Sequence, residues 1–290
     1  MENVIKANGG KDLLSGVGKR FRKLLLYALL CFVAITTVYP LLWMVYTSFK
    51  SNQDISMNTL ALPTKLHFEN YLEAWKTARI GEYFFNSILV AVVSIIFTIL
   101  VGASAAFILA KFKFKMQRLV YTSFIIGMLI PIQSILVPLF IQMRNFKLLD
   151  SRWSLILSYT AFGLPMAIFI LESFIRDLPS EILESAVIDG SSVPRAFFKL
   201  ILPMSRPALA TVIILSFLNN WKEFSFALIF ISDEAKKTLP LGLYNFLGAE
   251  TNNYAGLTAA LVISSIPVLI MYLFMQEQVI KGMTAGAVKG

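Results

Sequence analysis

The chain has 290 residues, 57% of them apolar and only 15% charged, with a mean hydropathy of +0.71. Soluble globular domains are about 45–50% apolar, so the composition excludes one and leaves a membrane protein. A net charge of +9 does not argue for nucleic acid, because a basic excess on so apolar a chain belongs to the lysines and arginines that hold cytoplasmic loops in place.

The N-terminal tail, residues 1–23, is polar, carries Gly9-Gly10 and is expected to be mobile as far as Gly18. Its Gly16-Val17-Gly18-Lys19-Arg20 is the nearest approach to a phosphate-binding loop. Leu13 stands where the first glycine is needed, and Arg20 where Ser or Thr would hold magnesium. The segment therefore reads as a basic tail, and no cofactor or ATPase activity is expected of this chain. The apolar run that follows, Leu24 to Phe49, is too long for a signal-peptide core of about 7–15 residues and reads as a retained span. Cys31 lies within it. As the single cysteine it allows no internal disulfide and no cysteine metal site, and His67, the only histidine, argues against a histidine cluster or a Ser-His-Asp triad confined to one span.

A helix needs about 20 apolar residues to cross a bilayer. Six stretches qualify, at about 24–49, 83–110, 119–143, 153–175, 207–232 and 254–277, making residues 24–280 an all-α, polytopic domain with a short tail at 281–290. Barrel strands would instead alternate over about ten residues. Pro40, Pro131, Pro138, Pro165 and Pro267 fall inside spans, where neighbouring helices or cavity water satisfy the freed carbonyls. With both termini in the cytoplasm the inside segments hold sixteen Lys and Arg and the outside loops nine, which supports that orientation. No internal repeat is evident.

The inside loop between spans four and five, 177–206, is too long for a plain helix connection, where about two to eight residues suffice. Pro179-Ser180 starts a short helix with Ser180 as N-cap and Glu181 in the first turn. Asp189-Gly190 ends it, and Ser191 or Ser192 with Pro194 opens a second that runs to about Leu202-Pro203. Leu183, Ala186 and Val187 share a face of the first helix, with Ile182 adjoining. That face suits docking into a groove on another protein, or folding back onto the membrane surface.

Glu184-Ser185-Ala186, three residues, Gly190, nine residues, then Leu200-Ile201-Leu202-Pro203 resembles the EAA loop of binding-protein-dependent ABC importer permeases, with Ser185 and Leu200 as small departures. Ile188-Asp189-Gly190, the C-terminal run Gly282 to Gly290, Asn86-Ser87 and the Pro165 region resemble the carbohydrate-uptake (maltose-type) branch. The resemblance implies a type I importer permease fold in the bacterial plasma membrane. The loop would be a pair of coupling helices seated in a cleft of an ATP-hydrolysing subunit. Leu183, Glu184, Ala186, Val187, Asp189, Gly190 and Pro203 would serve that contact, with Gly190 giving the tight turn. It implies as partners a homologous second permease, two cytoplasmic ATPase subunits holding ATP and Mg, an extracytoplasmic solute-binding protein, and a carbohydrate.

Charges inside a membrane cost roughly 2.5–3.5 kcal/mol each and mark functional sites by default. Span five carries Asn219, Asn220, Trp221, Lys222 and Glu223. On a continuous helix Asn219 and Asn220 share a face with Glu223, and amides and a carboxylate beside an indole suit a sugar. The same groups would equally serve pairing with a companion subunit or a helix break. The branch often shows Trp-Asn-Glu-Phe here, so Lys222 is a departure. Asn86 and Gln133 are further candidates for the path, Gln133 equally as interhelical glue. The outside segment Asp233 to Tyr254 is a candidate contact for the solute-binding protein. Two other classes compete: a secondary transporter relaying protons through Glu223 and Lys222, and a non-transporting membrane scaffold. Within the importer reading, a glycerol-phosphate-type solute or a peptide is the alternative cargo.

Overall fold

The computed structural model describes residues 2–76, 78–246 and 253–287, with side chains for 20, 22–76, 78–246 and 253–274. Among the described residues the protein is helical, without strands. Helices α1 (Glu2–Thr47), α2 (Ile80–Lys111), α3 (Gln117–Gly127), α4 (Ile132–Asn145) and α5 (Arg152–Asp177) lead to a short helix α6 (Glu181–Ile188). The chain continues through α7 (Arg206–Trp221) and α8 (Ser225–Phe230) to α9 (Tyr254–Ala287). Four of these carry segments long and apolar enough to cross a membrane: 22–47, 80–111, 152–177 and 254–274. The number rises to six if two bent pairs each count as one span.

These pairs are 117–127 with 132–145 and 193–204 with 206–221. Two predicted spans are not single helices. The stretch 119–143 breaks between α3 and α4 with a bend of 102°. Pro131 sits at the break in extended backbone (φ −68°, ψ 130°), since it lacks an N–H and disfavours helical geometry in the residue before it. The stretch 207–232 stops at Trp221 and restarts at Ser225. At 1.5 Å per residue α7 spans about 24 Å, short of the roughly 30 Å hydrocarbon core. The N-terminal tail is helical and continuous with α1 from Glu2, because adding residues to a nucleated helix is cheap compared with starting one.

α2 and α5 form the most extensive helix pair. Ser94, Thr98, Ala103 and Ala106 of α2 and Ser158 and Ala167 of α5 are buried, and such small side chains let backbones approach closely where lipid gives no hydrophobic drive. Thr160 Oγ1 donates to Ser94 O across the pair at 3.4 Å. α7 packs against α2, α5 and α9. By contrast, none of the most apolar stretch of α1 is buried within the chain. After α1, Lys50 is 1% exposed. Its ammonium donates to Asn58 O at 2.6 Å and Ala61 O at 3.0 Å, pinning the loop that follows.

Candidate functional site: an exposed helical hairpin and a polar clasp

The segment 181–204 is a hairpin at the end of the bundle where α2 and α5 finish. α6 closes on Gly190, whose φ of +81° lies in the left-handed region. Gly190 N–H donates to Val187 O at 3.0 Å and Ser191 N–H to Ala186 O at 2.9 Å, the paired closing bonds of a glycine-terminated helix. A Cβ on Gly190 would meet nothing within 4 Å, so glycine is required by backbone conformation and not by space. Ser180 does not cap as predicted: its backbone is already helical and its hydroxyl makes no cap bond. The negative side chains of Glu181 and Glu184 in the first turn answer the helix dipole instead.

The second arm starts at Val193 with Pro194 in its first turn, passes through a π-helical turn Phe197–Ile201, and ends at Met204. Ala196 is buried, and Phe197 and Ile201 are buried in one cluster with Phe107 of α2 and Leu171 and Ile175 of α5. The rings of Phe107 and Phe197 lie 4.9 Å apart. Lys111 Nζ donates to Leu178 O at 2.5 Å, tying the end of α2 to the start of the hairpin.

The predicted apolar face of α6 divides. Leu183 packs against the bundle cluster and Ala186 is buried, so these two face inward. A short helix has no stability of its own and is held by such packing. Val187 and Ile188 point away from the bundle, 48% and 84% exposed, and Glu184, Asp189, Gly190 and Pro203 are exposed around them. The outward surface thus combines two branched apolar side chains with two carboxylates on a rigidly mounted turn.

At the opposite end a polar clasp joins α2, α5 and the loop after α8. Asn86 is 6% exposed. Its Nδ2 donates to Ala235 O at 3.0 Å and Lys237 O at 2.9 Å. Its Oδ1 accepts from Arg152 Nε at 3.1 Å and Nη2 at 2.8 Å. Ser87 Oγ accepts from Leu239 N–H at 2.7 Å, Tyr83 OH donates to Glu234 at 2.7 Å, and Glu234 pairs with Lys237. Asp150 Oδ1 accepts from the amides of Ser232 and Asp233 at 2.6 and 2.8 Å. Asn86 therefore has its donors and acceptor committed within the chain, which corrects its placement on an open path. Asn252 of the same outer segment lies outside the described residues.

Two further path candidates are corrected. Trp221 is 6% exposed, stacked on Phe217 at 5.4 Å and met edge-on by Phe84 at 5.5 Å. Its indole N–H donates to Ser264 O of α9 at 3.0 Å, so no ring face is open to a sugar. Glu223 lies beyond the end of α7 and does not share a helical face with the asparagines. Its Oε1 accepts from Phe226 N–H at 2.7 Å, and its Oε2 from Tyr159 OH at 2.8 Å and Ala227 N–H at 3.3 Å. The carboxylate caps α8 and binds it to α5. Asn219 and Lys222 are exposed and Asn220 is half-buried, and their side chains make no polar contact among the described residues. Gln133 is exposed in the first turn of α4, beside the bend. These four remain open to the outside of the subunit. Arg152 and Tyr159 escaped sequence reading. Arg152 directly before an apolar run was the available signal, while Tyr159 inside one gave none.

The model of the family "binding-protein-dependent transport system inner membrane component" matches residues 98–285. A diacetylchitobiose uptake system permease protein of Streptomyces coelicolor is 39% identical over 262 residues, covering 90% of this chain and 87% of that protein. A melibiose/raffinose/stachyose import permease protein of Bacillus subtilis is 31% identical, covering 89% and 94%. A sulfoquinovosyl glycerol transport system permease protein of Agrobacterium fabrum is 33% identical over the full length of both chains. Among solved structures, a bacterial ABC transporter involved in the import of the acidic polysaccharide alginate has a chain of the same fold. Its TM-score is 0.78 at 22% identity, covering 89% of this chain and 96% of that one.

Proposed function

Because the chain belongs to the family of binding-protein-dependent transport system inner-membrane components, we propose that it is the permease subunit through which a bacterial ABC importer passes an oligosaccharide. The sugar named in the relatives' descriptions supports the cargo class. The observation that carries the mechanism is the hairpin 181–204. Its inner face is locked to α2 and α5 through Phe197 and Ile201, while Val187, Ile188, Glu184 and Asp189 stand outward around the left-handed Gly190. A push on such an element moves the helices it is packed against, since close-packed interiors transmit displacement.

In this reading the hairpin faces the cytoplasm, with both termini, and sits in a cleft of one of two ATPase subunits that hold ATP and Mg. This chain performs no hydrolysis. The exposed apolar surface of α1 meets lipid and a homologous second permease. The clasped outer loop, Asp233 to Phe246, receives a solute-binding protein. The sugar passes between the two permeases, where Asn219, Asn220, Lys222 and Gln133 supply polar groups. The test is affinity purification of the full chain in mild detergent, followed by reconstitution. Two ATPase subunits and a second permease should accompany it, and uptake should require ATP and the binding protein. Movement of the sugar by the chain alone in vesicles would overturn the proposal.

A further inference from the structure

At the ends of α2 and α5 remote from the hairpin, a groove of about 500 Å3 opens between the helices and the loop after α8. Its floor is apolar: Leu89 and Val93 lie one turn apart on α2, facing Ile156 of α5. Trp153, half exposed, lies along the groove with its ring 6.3 Å from that of Phe97, a further turn down α2. The rim is ionic, made of Arg152, Lys236 and Asp150. The hydrogen bonds of Arg152 engage Nε and Nη2 and leave Nη1 uncommitted. Lys236 pairs with Asp233 at 2.9 Å, and one oxygen of Asp150 is taken by two backbone amides.

A groove with cations at the end of two spans and an apolar wall running about two turns inward has the polarity of one molecule, a membrane lipid seen from the side. Indole rings favour the same boundary between headgroups and hydrocarbon, and arginine and lysine near it bind phosphate. We propose that this groove is a phospholipid site. The phosphodiester lies against Arg152 and Lys236, and an acyl chain lies over Leu89, Val93 and Phe97 beneath Trp153. A sugar is disfavoured because the floor continues into the exposed apolar face of α2. The site rests on α2 and α5 being spans and not on the cargo.

The experiment uses membranes containing the full chain, charged with a photoactivatable phospholipid carrying a diazirine on its acyl chain, with labelled peptides mapped by mass spectrometry. Peptides carrying Leu89 to Phe97 and Trp153 should be labelled preferentially. That labelling should fall about fivefold in Lys236→Gln, the effect of one basic residue near a lipid surface, and should fall also in Trp153→Ala. Labelling of α9 at Leu273 and Phe274 should stay unchanged, and a phosphate-free diacylglycerol probe should give no preference. Equal labelling by the two probes, or labelling indifferent to both substitutions in chains that still reach the membrane, would refute the site. So would a photoreactive residue placed at Leu89 that cross-links a second protein in place of lipid.

Discussion

Gly190 carries a requirement that can be separated from size. A non-glycine residue in left-handed backbone costs about 1–2 kcal/mol, with asparagine the best tolerated, and a side chain there meets no atom of the chain. Gly190→Asn should therefore retain most ATP-driven uptake. Gly190→Val should lose it while chain abundance in the membrane is preserved. Equal uptake by the two variants would show that the turn does no mechanical work. Tyr159 makes a different demand. Its hydroxyl is bonded to Glu223 within the membrane-spanning region, and hydrogen bonds to charged groups are worth about 1.5–3 kcal/mol. Tyr159→Phe should lower the thermal stability of the purified subunit complex accordingly, whereas a merely filled cavity would leave it unchanged. At the clasp, Glu234 is held below the usual carboxylate range, first by Lys237 and then by Tyr83. Lys236 and the Ala235 amide do the same for Asp233. A carboxylate depressed by folding adds stability above its unfolded value and loses it as pH falls through the folded one. Amide exchange in residues 232–246, corrected for intrinsic rate, should accordingly rise below about pH 4 and be flat above it. A loop equally protected on both sides of that value would show that these carboxylates do not hold it.

The hairpin behaves as one element because its second arm is buried. Phe197 is 5% and Ile201 0% exposed, and truncating a buried Phe costs about 3–5 kcal/mol. Phe197→Ala should free the hairpin from α2 and α5. ATP hydrolysis by the assembled complex would then continue while uptake fell, and a proportional loss of both would indicate general unfolding instead. The breaks at Met128–Pro131 and Lys222–Phe224 are likewise properties of elements. Hydropathy averages over a window and stays high across both, whereas a helix is interrupted by a single missing donor or by a carboxylate that caps the next turn. Pro131 was visible in the sequence and its consequence was underestimated. Glu223 was visible too, but its choice between lining a path and capping α8 depended on where Tyr159 and the amides of Phe226 and Ala227 came to lie.

For the molecule as a whole, composition and the length of the apolar runs were enough to read an all-α membrane protein, and the residues from Glu184 through Gly190 to Pro203 a short glycine-turned hairpin that resembles the family's loop. These are local properties: the cost of exposing peptide groups to lipid and the backbone freedom of one glycine operate within a few residues of chain. What only the tertiary structure decided is which polar side chains are already spent. Asn86 and Arg152 are 66 residues apart in sequence and share a hydrogen bond. Trp221 meets Ser264 across 43 residues, and Leu183 and Ala186 turn to the bundle while Val187 and Ile188 turn away. A polar or apolar residue type states what a side chain needs, and only the packing of distant helices determines whether that need is met inside the chain or is left for a partner.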